Sequence, residues 1–466
     1  MARFFGYESG APAQHPDRSR MCREAPEPRM TRPHHLALTQ LLRDTGSFLG
    51  EHRGLWAERA FVGDEVHLER AHPELARWLL ALSSERVRRY EREPHRLRED
   101  APAPLDRWLE LARVVERVAV FVNSAAPPAL PPRLRWEVPA RKQQQVMRFI
   151  KALERTGVLA ETRGEVVDWC AGKGYLGRAL AARGAQVTYV EQVGERCVAG
   201  RRLDRRARTN GRWLTADAHD PRAHQTLEGR LAVALHACGE LHRELVERGV
   251  ERGASALAFA PCCYHREHRR RQTEPAGQSA ERRWVLAVPR PPARWHYQPL
   301  SRRGRDAVEA GLAPRLDEHA LRLATASQQV ARPRVIALRD RERAFRLALD
   351  PLLREATGED RYLSLPPLPT AWLRLDFEGF VARLGQELSL PLHCADTAAA
   401  EARGWRRLHR VRALGLVRGL FRRSIELWLA ADTGRLLEER GYEVHLGTFC
   451  PPRITPRNLL IVASRR

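Results

Sequence analysis

Between Asp168 and Glu191 the sequence places an acid, two closely spaced glycines and a second acid around a predicted helix, in VVDWCAGKGYLGRALAARGAQVTYVEQ. Gly172 and Gly174 allow the backbone to turn and to pass close to a ligand without a side-chain clash. The helix predicted to begin near Tyr175 points its positive N-terminus at the same place. Glu191, about twenty residues further on, can accept both hydroxyls of a ribose. The segment therefore predicts a site for a cofactor that carries a nucleoside.

Two kinds of nucleoside cofactor use a loop of this sort, and the spacing of the residues distinguishes them. A dinucleotide-binding loop has the pattern G-x-G-x-x-G directly after its strand. Here the order is D-x-C-x-G-x-G, with Asp168 first and Cys170 where methyltransferases commonly carry glycine. That order favours S-adenosylmethionine, whose amino-acid end Asp168 would hold directly or through water. Dinucleotide binding and a turn that binds no ligand stay open as alternatives.

A third acid, Asp217 in LTADAHD, follows the third predicted strand. Methyltransferases often place an acid at this point, near the adenine amino group of the cofactor. A solvated residue that caps a helix N-terminus would have the same sequence signature. Asp217 is therefore a candidate for cofactor binding, with the capping role as its alternative.

Histidines and cysteines follow two further predicted strands, in the segments LHACGEL and APCCYHRE. In open α/β sheets the ligand binds at the edge formed by the carboxyl ends of the strands, so these side chains should meet there. We expect this group to form the floor of the acceptor pocket and to assist removal of a proton from the acceptor. The floor would consist of Cys238, Cys262 and Cys263, and the proton carriers would be His236, Tyr264 and His265.

Two other interpretations fit the same histidines and cysteines. Thiolates and imidazoles are zinc ligands, but the adjacent Cys262 and Cys263 are poorly placed to meet tetrahedral geometry together, and no C-x-x-C occurs. Cysteines are also common as small buried residues at strand ends. The expectation from the sequence is that no metal is bound here.

The segments DWCAGKGYLGRAL, LHACGEL and APCCYHR together resemble a class I methyltransferase-domain family that uses S-adenosylmethionine. This family includes uncharacterised bacterial methyltransferases and eukaryotic methyltransferase-like proteins, and more distantly the chain resembles the tRNA 2'-O-methyltransferases with a paired-cysteine and histidine motif. RKQQQV at 141–146, PLS at 299–301 and TPRN at 455–458 resemble further blocks of the family, although Arg141 stands where lysine is usual. The resemblance implies the cofactor and the fold more firmly than the acceptor.

Methyl transfer requires no dedicated nucleophile from the protein, because a methyl group on a sulfonium is already electrophilic. Such an enzyme chiefly aligns the acceptor lone pair and excludes water. No N-P-P-Y motif for planar amines is present, which favours a hydroxyl or a protein acceptor. The functions to compare are RNA methylation, methylation of a protein or small molecule, and RNA binding by a non-catalytic fold. The intact acids and glycines of the loop argue against the last.

The formal net charge of +23 indicates a polyanionic partner such as RNA. Nearly all the positive charge is arginine, since the lysines are Lys142, Lys151 and Lys173. An arginine bias spread over every helix face would give the same net charge. RNA is therefore the expected partner, with an arginine-rich insertion contacting phosphates, and composition bias is the alternative.

Seven short apolar runs predict the strands of a Rossmann-like class I methyltransferase core of the α/β class. These runs span 165–170, 186–192, 213–218, 231–238, 255–263, 442–449 and 458–465. Helical periodicity predicts an N-terminal helical domain and a mostly helical insertion before the last two strands. The expected segments are a disordered start at 1–30, the helical domain at 31–132, the core at 136–265 and 421–466, and the insertion at 266–420.

The scattered cysteines and the absence of a signal-peptide pattern favour reduced thiols and a cytoplasmic protein. No stretch approaches the ~20 apolar residues that cross a bilayer, so no membrane association is expected. The sequence gives no indication of the oligomeric state.

Overall fold

The computed structural model describes residues 38–122, 127–162, 164–266, 295–326 and 332–465. The predicted disordered start at 1–30 lies outside these residues, and so does the arginine run at 269–271 in the first part of the predicted insertion.

The strands of the described residues form one mixed sheet. They are β1 Ala119–Val120, β2 Glu165–Trp169, β3 Gln186–Glu191, β4 Gly211–Thr215, β5 Leu231–Cys238, β6 Ala256–Cys262, β7 Tyr442–Thr448 and β8 Leu459–Arg465. Their order across the sheet is β1-β7-β8-β6-β5-β2-β3-β4. The pairing is parallel except that β8 runs antiparallel to both β6 and β7. The last two strands therefore complete the sheet, as predicted.

All seven predicted strands are present because most of them are buried on both faces and appear in the sequence as short apolar runs. The third strand is shifted from the prediction: it lies at Gly211–Thr215 instead of 213–218. The reason is Asp217, whose Oδ1 accepts the backbone N–H of His219 at 2.9 Å and so begins a turn. An eighth strand, the two-residue β1, was not predicted, since two residues carry no periodic signal.

The order of the strands creates a crevice at the carboxyl edge of the sheet. β2 pairs with β3 on one side and with β5 on the other, both in parallel. The chain therefore leaves β2 and β5 in opposite directions. In doubly wound sheets, ligands bind outside the carboxyl ends of the strands at such a point.

Helices cover both faces of the sheet and form the N-terminal segment and the insertion. In chain order those of the described residues are α1 Leu38–Glu51, α2 Arg53–Ala57, α3 His67–Ala71, α4 Pro73–Leu80, α5 Ser84–Arg92, α6 Pro94–Asp100, α7 Leu105–Val115, α8 Ala140–Arg155, α9 Val158–Glu161, α10 Tyr175–Ala181, α11 Gly194–Ala207, α12 Pro221–Gln225, α13 Glu240–Glu251, α14 Arg302–Glu309, α15 Glu318–Thr325, α16 Pro333–Thr357, α17 Phe377–Leu388, α18 Thr397–Leu420 and α19 Arg422–Glu439. Short 3₁₀ turns lie at Pro132–Leu134, Tyr264–Arg266 and Trp372–Arg374.

The N-terminal helices share one hydrophobic core with a face of the sheet. α1 packs along α19, and α19 packs on β7. A single cluster of buried apolar side chains includes Leu38, Trp428 and Leu459. A second cluster, which includes Phe149 and Val233, covers the opposite face. Burial of this kind is the main source of stability, at about 25 cal/mol for each Å² of apolar surface.

The PLS block at 299–301 joins the insertion to α19. Ser301 caps α14, because its Oγ accepts the N–H of Gly304 at 2.9 Å. The same Oγ donates to the buried carboxylate of Asp432 at 2.6 Å, and the N–H of Leu300 donates to that carboxylate at 2.6 Å. This family-like block therefore has a structural explanation, since it satisfies a buried acid.

Among the described helices, none combines the length and the apolarity that crossing a bilayer requires.

Candidate cofactor and acceptor site

Asp168 lies near the end of β2 and is almost fully buried. Its Oδ2 accepts the backbone N–H of Gly177 at 2.9 Å, in the first turns of α10. Burial raises the pKa of Asp168 to about 7, against the opposing effects of the Gly177 N–H, Lys142 and Arg178. A buried carboxylate of this kind is stabilised by a further cation. Asp168 therefore suits the ammonium group of an amino-acid ligand.

The two glycines of the loop differ in what surrounds them. Gly172 and Gly174 have φ angles of 61° and 71°, in the left-handed region that side chains rarely adopt. No atom lies within 4 Å of the position of a Cβ on Gly172, so this side of the loop is open. A Cβ on Gly174 would lie 2.8 Å from the ring of Tyr189 and 2.9 Å from that of Trp213. Gly172 thus leaves room for a ligand, and Gly174 allows α10 to pack on the sheet.

Glu191 is the last residue of β3, and its carboxylate binds the backbone of the glycine loop. Its Oε2 accepts the N–H of Gly172 at 2.8 Å, while its Oε1 accepts the N–H of Val193 at 3.0 Å. Arg196 lies 3.3 Å from the same Oε1. Each carboxylate oxygen offers two acceptor positions, so one position remains on Oε2 for a ribose hydroxyl, and a second hydroxyl would have to replace Arg196 on Oε1.

Cys170 and Asp217 lie beside these acids. Burial raises the pKa of Cys170, and the carboxylates of Glu191, Asp168 and Asp217 raise it further. Cys170 has a φ of 56°, so it shares the left-handed backbone of the glycines that follow. Asp217 is partly buried and closes its own turn through the His219 N–H. The contact of Asp217 with adenine stays a prediction.

His236 links the end of β5 to helix α8. The register between β5 and β6 shifts between Leu235 and Cys238, and His236 has a φ of 73°, as expected at a bulge that redirects a side chain. Its Nε2 lies 3.0 Å from Oε1 of Gln145, which can only accept, so the imidazole donates. Burial, Lys142 and Arg457 lower the pKa of His236 to about 3. A neutral, weakly basic imidazole suits positioning better than proton removal.

Tyr264 and His265 lie in the 3₁₀ turn after β6. Tyr264 is 1% exposed, and its ring meets that of His242 edge-on, with 5.4 Å between the centroids. Burial lowers the pKa of His265, and Arg322 lowers it further. Helix α15 of the insertion packs against this turn. The turn therefore lies between the sheet and the insertion, and the catalytic roles of Tyr264 and His265 stay predictions.

The three predicted cysteines of the acceptor pocket do come together. Cys238 and Cys262 are register partners on β5 and β6, and their sulfur atoms are 3.3 Å apart. The sulfur of Cys263 lies within 4.8 Å of both. Hydrogen bonds from Cys238 and Cys262, with Arg457 and Arg266 nearby, lower the pKa of Cys263, whereas the pKa values of the two donors are raised. Of the three thiols, that of Cys263 therefore loses its proton most readily.

Lys142 is a site residue that the sequence did not single out, apart from its place in the RKQQQV block. It is partly buried on α8, and burial lowers its pKa, whereas Asp168, Cys262 and Cys238 raise it. Its ammonium group is thus near enough to the acid of the loop and to the cysteines for their charges to act on it. A signal was available, because lysine is so rare in this arginine-rich chain that a lysine at a buried position indicates a specific role.

Residues 141–269 match the model of a family described as a methyltransferase domain. The match contains the glycine loop, Glu191 and the three cysteines, and it covers well under half of the chain. The chain contains a methyltransferase domain. The cofactor of this domain is S-adenosylmethionine, as the loop predicted. The paired-cysteine relatives stay a matter of resemblance.

A structure of coclaurine N-methyltransferase bound to N-methylheliamine and SAH is also similar to the chain. The two are 16% identical, with a TM-score of 0.23, and the match covers 41% of this chain and 62% of that chain. A similarity of this size carries no argument about the acceptor.

The residues of the methyltransferase domain fit its cofactor in three places. Asp168 offers a buried carboxylate to the ammonium group, Gly172 leaves the loop open, and Glu191 keeps one acceptor position for the ribose. The bound cofactor supplies an electrophilic methyl group. The protein has to orient the acceptor and exclude water, and the buried carboxyl end of β6 beside the partly buried end of β5 suits the second task.

Proposed function

We propose that the protein transfers the methyl group of S-adenosylmethionine to RNA. The observation that supports this proposal is an exposed, cationic and aromatic surface beside the cofactor loop. We call it the Trp136 surface, and it consists of Trp136, Lys173, Arg202 and Arg206.

Trp136 is 48% exposed, although tryptophan side chains are usually well buried. The guanidinium carbon of Arg206 lies 3.3 Å from the centre of its indole ring. Proteins that bind single-stranded RNA stack unpaired bases on aromatic rings and on guanidinium planes. A solvent-exposed indole paired with arginine therefore suits an unpaired base.

Glu137 connects the Trp136 surface to the cofactor loop. Its carboxylate accepts from Nζ of Lys173 at 2.8 Å and also from Arg202. Its backbone oxygen accepts from the hydroxyl of Tyr175 at 2.8 Å. Lys173 stands between the two loop glycines. A strand bound at Trp136 would therefore contact the loop that binds the cofactor.

The chemistry of the acceptor follows from two features of the sequence. The motif for planar amines is absent, and the paired cysteines and histidine resemble distantly those of tRNA 2'-O-methyltransferases. The first favours a hydroxyl or a protein acceptor, and the second favours a hydroxyl oxygen as the atom methylated. A protein or small-molecule acceptor is the competing outcome of the test below.

The test is incorporation of tritium from labelled S-adenosylmethionine into total cellular RNA by the full-length protein. Trp136→Ala should weaken RNA binding about tenfold or more, since a stacked base contributes ~1–3 kcal/mol. Trp405→Ala is the matched control, because Trp405 is a 37% exposed tryptophan on α18. Label that survives nuclease and disappears with protease would contradict the proposal, and so would equal effects of the two tryptophan variants.

A further inference from the structure

The cysteine cluster at the ends of β5 and β6 is not required by methyl transfer itself. Its members are shielded from solvent, with Cys262 2% exposed, Cys263 9% exposed and Cys238 partly buried. All three are free thiols, and their sulfur atoms lie within 4.8 Å of one another. A buried group of soft donor atoms at one point is the arrangement that soft and borderline metal ions prefer.

The sequence argued against a metal because the adjacent Cys262 and Cys263 are poorly placed to meet tetrahedral geometry together. Successive residues of a strand ordinarily point to opposite faces of the sheet. Cys263 departs from that rule. It follows the end of β6 with a φ of 52°, in a left-handed conformation that is rare for a residue with a side chain. This turn breaks the alternation and allows its sulfur to lie beside that of Cys262. Strained backbone of this kind is found most often at functional sites.

The spacing of the sulfur atoms suits tetrahedral coordination. Zinc bound to thiolates at ~2.3 Å requires sulfur atoms about 3.8 Å apart. The separations in the cluster are 3.3 Å for Cys238 and Cys262 and at most 4.8 Å for the other pairs. The measured value is close to the required one, and the required one lies within the bound on the other pairs. A disulfide would need ~2.0 Å between two sulfur atoms, and all three cysteines are free.

The charges around the cluster suit thiolate ligands. Lys142 acts on Cys238 and Cys262, and Arg457 and Arg266 act on Cys263. Three thiolates with one divalent cation have a net negative charge, which these cations would offset. Arg457 belongs to the TPRN block, so the far C-terminal segment contributes to the cluster.

We infer that Cys238, Cys262 and Cys263 bind one zinc ion. Three protein ligands leave a fourth position for water or another group, which is the arrangement of an open zinc site. The inference does not depend on an RNA acceptor, because it rests only on the geometry of the sulfur atoms and on the charges around them.

The test is the zinc content and zinc affinity of the full-length protein, purified with reductant and without chelator. Elemental analysis should find close to one zinc per chain in the wild type. Competition with a chromophoric chelator should show affinity at least about tenfold weaker in Cys263→Ser and Cys238→Ser. Cys394→Ser is the matched control: Cys394 is a partly buried free cysteine outside the sheet, so this variant should bind like the wild type.

Two further measurements separate loss of the ligand from loss of the fold. Cobalt(II) added to the wild type should give a thiolate-to-metal charge-transfer band, which needs no variant. Binding of S-adenosylmethionine to each variant, measured by calorimetry, shows that its domain is folded. A reduced wild type without that band would overturn the inference. Zinc affinity equal in the wild type, Cys238→Ser and Cys263→Ser would also overturn it.

Discussion

Helices α11 and α18 are both rich in arginine, but their arginines have different surroundings. On α18, Arg410 bonds Glu69 at 2.9 Å, and Arg407 bonds Asp350 at 2.9 Å. Arg412 bonds the buried Asp340 at 2.7 Å and also pairs with Glu91. These contacts join α18 to the N-terminal helices and to α16.

The arginines on α11 and just after it face solvent instead. Exposed residues here are Arg201, Arg205, Arg206, Arg208 and Arg212, and none has a carboxylate within ion-pair distance in the part of the chain that the structure describes. Net charge alone therefore does not locate a binding surface. The charge of α18 is largely used in holding the fold together, while that of Arg201, Arg205 and Arg206 on α11 is available to a partner.

The largest effect that this comparison predicts is on stability. Arg412→Ala leaves the buried Asp340 without its closest cation, so the free energy of unfolding should fall by ~3–5 kcal/mol. Arg205→Ala removes an exposed arginine of α11 and should change it by no more than about 0.5 kcal/mol. Urea unfolding measures both. Similar losses in the two variants would show that the comparison is wrong.

The next prediction concerns Glu191, in the cofactor loop beside α11. Glu191→Ala removes the acceptor of a ribose hydrogen bond and the carboxylate that accepts the Gly172 N–H, so the affinity for S-adenosylmethionine should fall about 10- to 100-fold. Calorimetry with the folded variant measures this. Glu195→Ala, at an exposed acid in the first turn of α11, should bind normally. Wild-type affinity in Glu191→Ala would contradict the assignment of Glu191 to the ribose of the cofactor.

The salt dependence of RNA binding tests whether the exposed arginines on and just after α11 contact phosphates. Replacing Arg201, Arg205 and Arg208 together by alanine should reduce the slope of log affinity against log salt by about 2, at ~0.7 for each phosphate contacted. The matched control is the triple alanine variant of Arg334, Arg339 and Arg343, which are exposed on α16. Filter binding measures both slopes. Equal reductions would indicate composition bias and not a surface on α11.

The smallest predicted effect is on pH dependence at the cofactor loop. Burial raises the pKa of Asp168 to about 7, so its carboxyl group is increasingly protonated below that pH and loses its charge for an ammonium group. Affinity for S-adenosylmethionine should therefore rise about tenfold between roughly pH 6 and pH 8. In Asp168→Asn the affinity should be lower and nearly constant over this range. A wild-type affinity independent of pH would contradict the role of Asp168.

The local parts of the site were predictable because their signals lie close together in the chain. The loop from Asp168 to Glu191 combines a strand, two glycines and a helix in one segment, and the apolar runs before His236 and Cys262 indicated buried strands. Lys142 was not predicted as a site residue, since nothing in its own helix shows that it faces Asp168. The carboxyl end of β4 was predicted too late because Asp217 begins a turn through a side-chain bond.

Local sequence signals were enough to predict seven of the eight described strands, the class of fold and the cofactor, because periodicity, glycines and turns act over a few neighbouring residues. Only the tertiary structure decided which arginines are paired, since Arg412 and its partner Glu91 are 321 residues apart. Only the tertiary structure decided that Cys263 turns its sulfur towards Cys238 and Cys262, because a left-handed backbone at a strand end depends on the elements packed around it. Charge pairing and sulfur geometry are contacts between distant residues, and no local pattern encodes them.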